Sequence, residues 1–210
     1  MDRIKELYKK AFLEFGDSHK TVQWPKGRQE VRFNALTQFI PRETSFSILD
    51  FGCGLAHMKD YLDKHFQNIK YTGVDMVEEF IEFNKNKYSN ANFMSPDEFS
   101  KSSEKFDYIV SSGVFNILYK ETVEEHQDEV FRILEILFEK TNIYLASDFM
   151  TDRVDFRQPS TYHANAEYCF ERISKQFSRR VIINHSYLPY EFCATVYKNN
   201  TIKRPENIYE

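Results

Sequence analysis

The chain has little of what would build a disulfide framework, a zinc site, a nucleic-acid footprint or a membrane span. Its 210 residues include three cysteines, Cys53, Cys169 and Cys193. They form no CxxC pair and no zinc-like spacing, so no metal site is expected, and an odd, sparse set points to reduced thiols in a cytoplasm. The formal net charge of −4 gives no electrostatic case for a nucleic-acid partner. The opening stretch MDRIKELYKKAFLEFG carries charges throughout, which suits neither a signal peptide nor a membrane span. Internal repeats and low-complexity tracts are missing as well. These absences predict a soluble, cytoplasmic protein with no membrane partner, and they leave the oligomeric state open. The length is enough for one domain with a full core.

What is present is a regular alternation. The opening stretch reads as an amphipathic helix with Ile4, Leu7, Tyr8, Phe12 and Phe15 on one side. A turn-rich connection, GDSHKTVQWPKG, follows, and then RQEVRFNALTQFI reads as a helix with Val31, Leu36 and Phe39 or Ile40 facing inward. From Phe46 onward short apolar runs alternate with helical segments: FSILDF, IKYTGVD, NANFM, FDYIVSS and TNIYLASDF are strands, separated by helices. Such alternation predicts a parallel sheet with helices on both faces. RRVIINHSYL and YEFCATVYK, divided by Pro189, stand too close together for a parallel crossover and must pair as a hairpin. The expected architecture is therefore an α/β, Rossmann-like, doubly wound and mostly parallel seven-stranded sheet ending in an antiparallel hairpin. Residues 1–210 read as a single domain, with 1–44 as helical lead-in and lid, 45–200 as core and 201–210 as tail.

Only six glycines occur, and two of them stand one residue apart in ILDFGCGLAHMKDYL, between the first strand and its helix. In an open parallel sheet a ligand sits beyond the carboxyl ends of the strands. Glycines there permit positive φ and a close backbone approach. A phosphate-binding Walker loop is excluded, because no lysine lies in FGCGLAH. A GxGxxG dinucleotide turn fits poorly, since His57 holds the sixth position and Asp50 stands where a pyrophosphate would be repelled. A neutral or cationic nucleoside suits the loop better. YTGVD ends in Asp75, which either accepts hydrogen bonds from ribose hydroxyls or merely caps the following helix.

On these residues the sequence resembles the class I S-adenosylmethionine-dependent methyltransferases. ILDFGCGLAHMKDYL resembles their glycine motif, with Ala56 where the third glycine usually stands, and YTGVDM resembles their acidic second motif. ANFMSPDEF and FDYIVSSGVFNIL resemble the third and fourth strand regions, so the likeness spans about Arg28 to Asp148. The resemblance implies S-adenosyl-L-methionine as cofactor. It places Asp50, Gly52 and Gly54 around the methionine part, Asp75 on the ribose, and Met76 and Phe99 against the adenine. Asp97 or the Glu98 amide would meet the adenine amino group, and Ser112 and Gly113 would line the sulfonium side. HKTVQWPKGRQEVRF also resembles the lead-in of a subset of small bacterial methyltransferases. In that likeness Arg32, or Arg28, pairs with the methionine carboxylate, and Trp24 either closes the site or fills a core under a long loop.

Methyl transfer to oxygen or nitrogen benefits from a general base within about 3 Å of the proton it removes. Candidates are His163 in the loop after the fifth strand and His185 and Tyr187 in the hairpin, with Asp148 and Asn116 at the strand ends. A pocket is expected between that loop and the hairpin. The acceptor is expected to be a small molecule, such as a carbohydrate or secondary-metabolite intermediate. A nucleic-acid or protein methyltransferase and a non-catalytic nucleoside-binding protein are the alternatives. SSGVFN stands where a base-flipping amino-methyltransferase would carry [DNS]-P-P-[YFW].

Overall fold

A computed structural model describes residues 2–23 and 27–199. The proposed cap residue Trp24 and the proposed tail, 201–210, lie outside the described residues. The lead-in holds α1 (Asp2–Phe15) and α2 (Arg28–Thr37). The alternating part then runs β1 (Phe46–Phe51), α3 (His57–His65), β2 (Ile69–Val74), α4 (Glu78–Lys87), β3 (Asn92–Met94), α5 (Pro96–Lys101), β4 (Phe106–Ser111), α6 (Val123–Glu139) and β5 (Thr141–Met150). The chain ends in α7 (Ala166–Gln176) and the hairpin β6 (Val181–Leu188) and β7 (Glu191–Tyr197).

Local sequence sets several of these boundaries. Ser95 and Glu98 form a reciprocal capping box at α5, with Pro96 at the first helical position, and Thr122 and Glu125 do the same for α6. Each box satisfies two amide donors that the first turn would otherwise leave open. In α6 the inward stripe Val130, Leu134, Leu137 recurs at helical spacing, flanked by Phe131 and Phe138.

The seven strands lie in the order β3-β2-β1-β4-β5-β7-β6, and β7 is antiparallel to both neighbours. This is the doubly wound, mostly parallel sheet with a terminal hairpin that the alternation predicts. Strand side chains alternate between faces, and each face has its own core. Ile48, Tyr71, Tyr108 and Tyr144 pack with α2 and α3. Leu49, Ile109, Leu145 and Phe192 pack with α6 and α7.

The same parity positions the site. Leu49 and Phe51 face α6, so Asp50 between them points to the α2 side; by the same count so do Ser112, Asp148 and Glu191. Polar groups of four neighbouring strands or strand ends therefore share one edge of one face. Arg32 meets them from α2. Its guanidinium forks onto the two carboxylate oxygens of Glu191, and its Nε lies 4.0 Å from Asp148 Oδ2. This buried cluster joins the lead-in to β5 and to the hairpin.

Helix faces differ in part from the expectation. Leu36 and, of the pair Phe39 and Ile40, Ile40 are buried as expected, but Val31 is 38% exposed and α2 buries Arg32, Phe33 and Ala35 instead. The inward stripe of α2 thus includes a charged residue, which a hydrophobicity count passes over. On α1, Tyr8 and Phe12 pack against Phe80 of α4, whereas Leu7 and Phe15 remain exposed.

Arg32→Ala leaves two buried carboxylates without their cation. It should cost about 3–5 kcal/mol in a urea titration, as for other broken buried ion pairs. Glu191→Gln, which keeps an acceptor oxygen, should cost clearly less.

Candidate functional site

The turn after β1 is shaped by close approach. Gly52 and Gly54 have φ of +78° and +53°. A Cβ on Gly52 would sit 2.3 Å from Val114 Cγ2, and one on Gly54 would sit 2.9 Å from Val22 Cγ1. The Gly52 and Cys53 amides both donate to the Val74 carbonyl, at 2.7 and 3.0 Å, which pins the turn to the end of β2. Ala56 also has positive φ, +57°. The alanine at this point is therefore held in the left-handed region, a conformation that costs an L-residue roughly 1–2 kcal/mol.

Asp75 is the pivot of the site. Its Oδ2 accepts the Gly54 amide at 2.8 Å and its Oδ1 accepts the Val77 amide at 2.9 Å. The carboxylate, which the Met76 amide also favours, has about four acceptor sites and so retains capacity for a hydroxyl donor. The two readings of Asp75 from sequence thus meet in one residue: it braces the chain into α4 and it borders the hollow. Burial raises its pKa, and the amides oppose that. Asp50 accepts the Tyr71 hydroxyl at 2.7 Å, and burial, reinforced by Asp75 and Asp148, pushes its carboxyl up to about 7. Asp148 accepts the Gly113 amide at 2.6 Å and the Ser112 hydroxyl at 2.9 Å. Burial raises it to about 6, with Arg32 opposing.

Two hollows lie along the strand ends. The larger, about 390 Å³, is walled by Gly52, Gly54, Asp75 and Met76 and by Ser112 to Phe115. Phe99, the α1 residues Ile4 and Tyr8, and the α6 residues Ile133, Ile136 and Leu137 complete it. The smaller, about 40 Å³, is bordered by Asp50, Cys53, Leu55, His57 and Gln29. Gly52, Gly54, Ser112 and Val22 border both.

The structure thus brings together Asp50, Gly52, Gly54, Asp75, Met76, Ser112 and Gly113, as well as Phe99. It separates others from them. Arg32 borders neither hollow, because Glu191 already occupies its fork. Arg28 is exposed. Asp97 and Glu98 also stand outside. The Glu98 carboxylate accepts the Ser95 amide at 2.7 Å and its own amide donates to Ser95 Oγ, so the capping box holds both groups away from a ligand.

The expected bases also stand apart from these hollows. His163, His185 and Tyr187 border neither hollow. His163 Nδ1 pairs with the Thr151 carbonyl at 2.9 Å. Its loop is stitched inward by the Tyr162 amide to Asn116 and the Ala164 amide to Met150. His185 is exposed and stacks on Phe192, while Tyr187 packs against the α2-side core. Asn116 supports the wall by accepting the Met150 amide at 3.0 Å.

Sequence reasoning missed the roof, Ile4, Tyr8 and Val22, and the α6 wall. The stripe Ile4–Tyr8 was visible but reads equally as core. For α6 the signal was a helix whose apolar arc is wider than one packing face needs, because Ile133 and Ile136 flank the buried stripe.

A family described as a methyltransferase domain matches residues 49–136, from β1 into α6. The Mycobacterium tuberculosis protein named "Putative methyltransferase Rv1506c" is 28% identical over 158 residues, covering 73% of this chain and 93% of that protein. A TehB-like S-adenosylmethionine-dependent methyltransferase from Corynebacterium glutamicum superposes with a TM-score of 0.58 at 19% identity, over 95% of this chain and 100% of that one. The plantazolicin methyltransferase BpumL, solved with a triazolic desmethylPZN analog and S-adenosylhomocysteine, superposes at 0.62 and 21% identity, over 94% and 99%. With the loop and sheet described above, these findings give residues 49–136 a methyltransferase domain and the chain as a whole the fold of S-adenosylmethionine-dependent methyltransferases. The residues present fit that cofactor: a cradle closed to any Cβ, a carboxylate with spare acceptor capacity, and acidic groups for a cationic ligand.

Two outcomes follow from this geometry. Asp75→Ala removes a ribose acceptor and two backbone braces together. Calorimetry should show cofactor affinity falling by about 1.5–3 kcal/mol, and the thermal midpoint should fall with it. The raised carboxyls of Asp50 and Asp148 bind protons more tightly folded than unfolded, so their contribution to stability is largest at acid pH and is lost as pH rises through about 6 to 7. The ligand-free thermal midpoint should therefore fall between about pH 5 and pH 8, and Asp50→Asn should flatten that slope.

Proposed function

We propose that the protein transfers a methyl group to an oxygen or nitrogen atom of a small molecule, with a carbohydrate or secondary-metabolite intermediate as the expected class. The observation that carries this reading is the larger hollow, roofed by α1 and walled mostly by aromatic and aliphatic side chains with few polar points. Its volume falls in the range of small-molecule sites, about 300–1,000 Å³; the cofactor's nucleoside takes the part at Asp75, Met76 and Phe99, and the roofed remainder beside Val114 to Tyr119 suits a compact acceptor better than a polymer. S-adenosylmethionine, when bound, supplies a methyl carbon made electrophilic by the neighbouring sulfonium.

The chain's own residues then bind, orient and exclude water. Asp75 holds the ribose, Met76 and Phe99 flank the base, and the glycine turn lets the backbone approach the methionine part. Tyr8 and Val22 close the roof against solvent, which strengthens the electrostatic contacts within. Neither described hollow is lined by a histidine positioned over Ser112 and Gly113. Positioning of the acceptor by the wall from Val114 to Tyr119 is the mode of catalysis this arrangement supports.

The likeness to the plantazolicin methyltransferase is consistent with a natural-product acceptor but does not select one. Isotope-labelled S-adenosylmethionine tests the class. Incubated with purified protein and separate small-molecule, protein and nucleic-acid fractions, it should deliver label to the small-molecule fraction. Label retained on protein or nucleic acid would contradict the proposal.

A further inference from the structure

Asp148 lies behind the wall of the hollows rather than in it. It is 1% exposed, and both of its oxygens grip one turn: Oδ1 the Gly113 amide, Oδ2 the Ser112 hydroxyl. Ser112 borders the larger hollow, which Asp75 shares, and the smaller one, which Asp50 shares. A ligand whose ribose lies at Asp75 and whose amino-acid end lies at Asp50 passes where the two hollows meet, bordered by Ser112, Gly52, Gly54 and Val22. The group at that crossing is the sulfur, which is a cation in the methyl donor and a neutral thioether in the product.

We propose that Asp148 is a positioning and specificity-determining residue: it braces the Ser112–Gly113 turn, and its negative charge behind that turn favours the sulfonium donor over its demethylated product. The inference rests on the methyltransferase reading.

Charge supports it independently. Asp50, Asp75, Asp148 and Glu191 are all buried at this edge, and Arg32 pairs with two of them, Asp148 and Glu191. With every group ionised the edge carries an excess of negative charge, in a medium where Coulomb energies far exceed those in water. A sulfonium relieves that excess and a thioether does not.

The groups facing Asp148 are Arg32 from α2, Glu191 and Cys193 from β7, Tyr187 from β6 and Asp50 from β1. Of these, Arg32 favours the ionised form, whereas burial and the neighbouring acids favour the protonated one. The preference for the donor is therefore full above the Asp148 pKa and weakens as pH falls through it.

Calorimetric dissociation constants for S-adenosylmethionine and S-adenosylhomocysteine test this, measured on the wild type, Asp148→Asn and Ser112→Ala. At about pH 8, Asp148→Asn should reduce the donor-over-product preference about fivefold or more, with product affinity changed less than twofold. Ser112→Ala, which loosens the turn and keeps the charge, should leave that preference within twofold. Equal weakening of both ligands by Asp148→Asn would assign the residue a purely structural role and overturn the proposal. If Asp148→Asn does not fold, Asp50→Asn decides, since it removes the other carboxyl that titrates in this range: its preference should still fall by a similar factor from about pH 8 to about pH 5, and a preference flat across that range overturns the proposal. Failure of both ligands to bind the wild type would instead refute the underlying methyltransferase reading.

Discussion

The constraint on which the site depends is the alternation of side chains along the strands. Because Ile48 and Leu49 must face opposite cores, Asp50 is delivered to the α2 side of the sheet. The same alternation brings Ser112, Asp148 and Glu191 to that side. Concentrating acids on one buried edge is unfavourable in itself, since each loses its hydration and repels the others. The cost is offset by Arg32, by the Tyr71 hydroxyl on Asp50 and by the amide and hydroxyl on Asp148. An edge of this kind is poor ground for a phosphate and good ground for a cation.

The second element of the design is backbone shape. The turn at Gly52 and Gly54 approaches Val114 and Val22 too closely for any side chain, so the hollow is bounded by main chain on one side. α1 and α6 supply apolar surface on the others. α1 packs its Tyr8 and Phe12 against Phe80, which makes the roof part of a small third core with Leu55 and Val77. The core and the cavity wall are thus continuous, and a change at the roof is felt at the turn.

Much of the fold was legible because strand and helix periods differ, and because two closely spaced strands leave only a hairpin. The turn beside the larger hollow was legible where a residue type answers a local need: glycine at a close approach, aspartate at the end of β2. Legibility failed where function depended on which partner a charge finds in space. Arg32 looked available for a cofactor carboxylate, yet Glu191, 159 residues away in sequence, takes its fork. Asp97 and Glu98 follow the right strand, yet the capping box at Ser95 draws them outward. His163 sits in the expected loop, but backbone bonds to Asn116 and Met150 fold that loop against the sheet. The roof residues Ile4 and Tyr8 carry no local mark that separates a cavity wall from a core.

The measurement that bears most directly on the account is a crystal structure of the protein grown with S-adenosylhomocysteine. The account predicts the ribose hydroxyls on Asp75, the adenine between Met76 and Phe99, and the amino-acid end in the smaller hollow beside Asp50, with the sulfur passing Ser112. A ligand placed elsewhere on the sheet edge, or with its ribose away from Asp75, would contradict it.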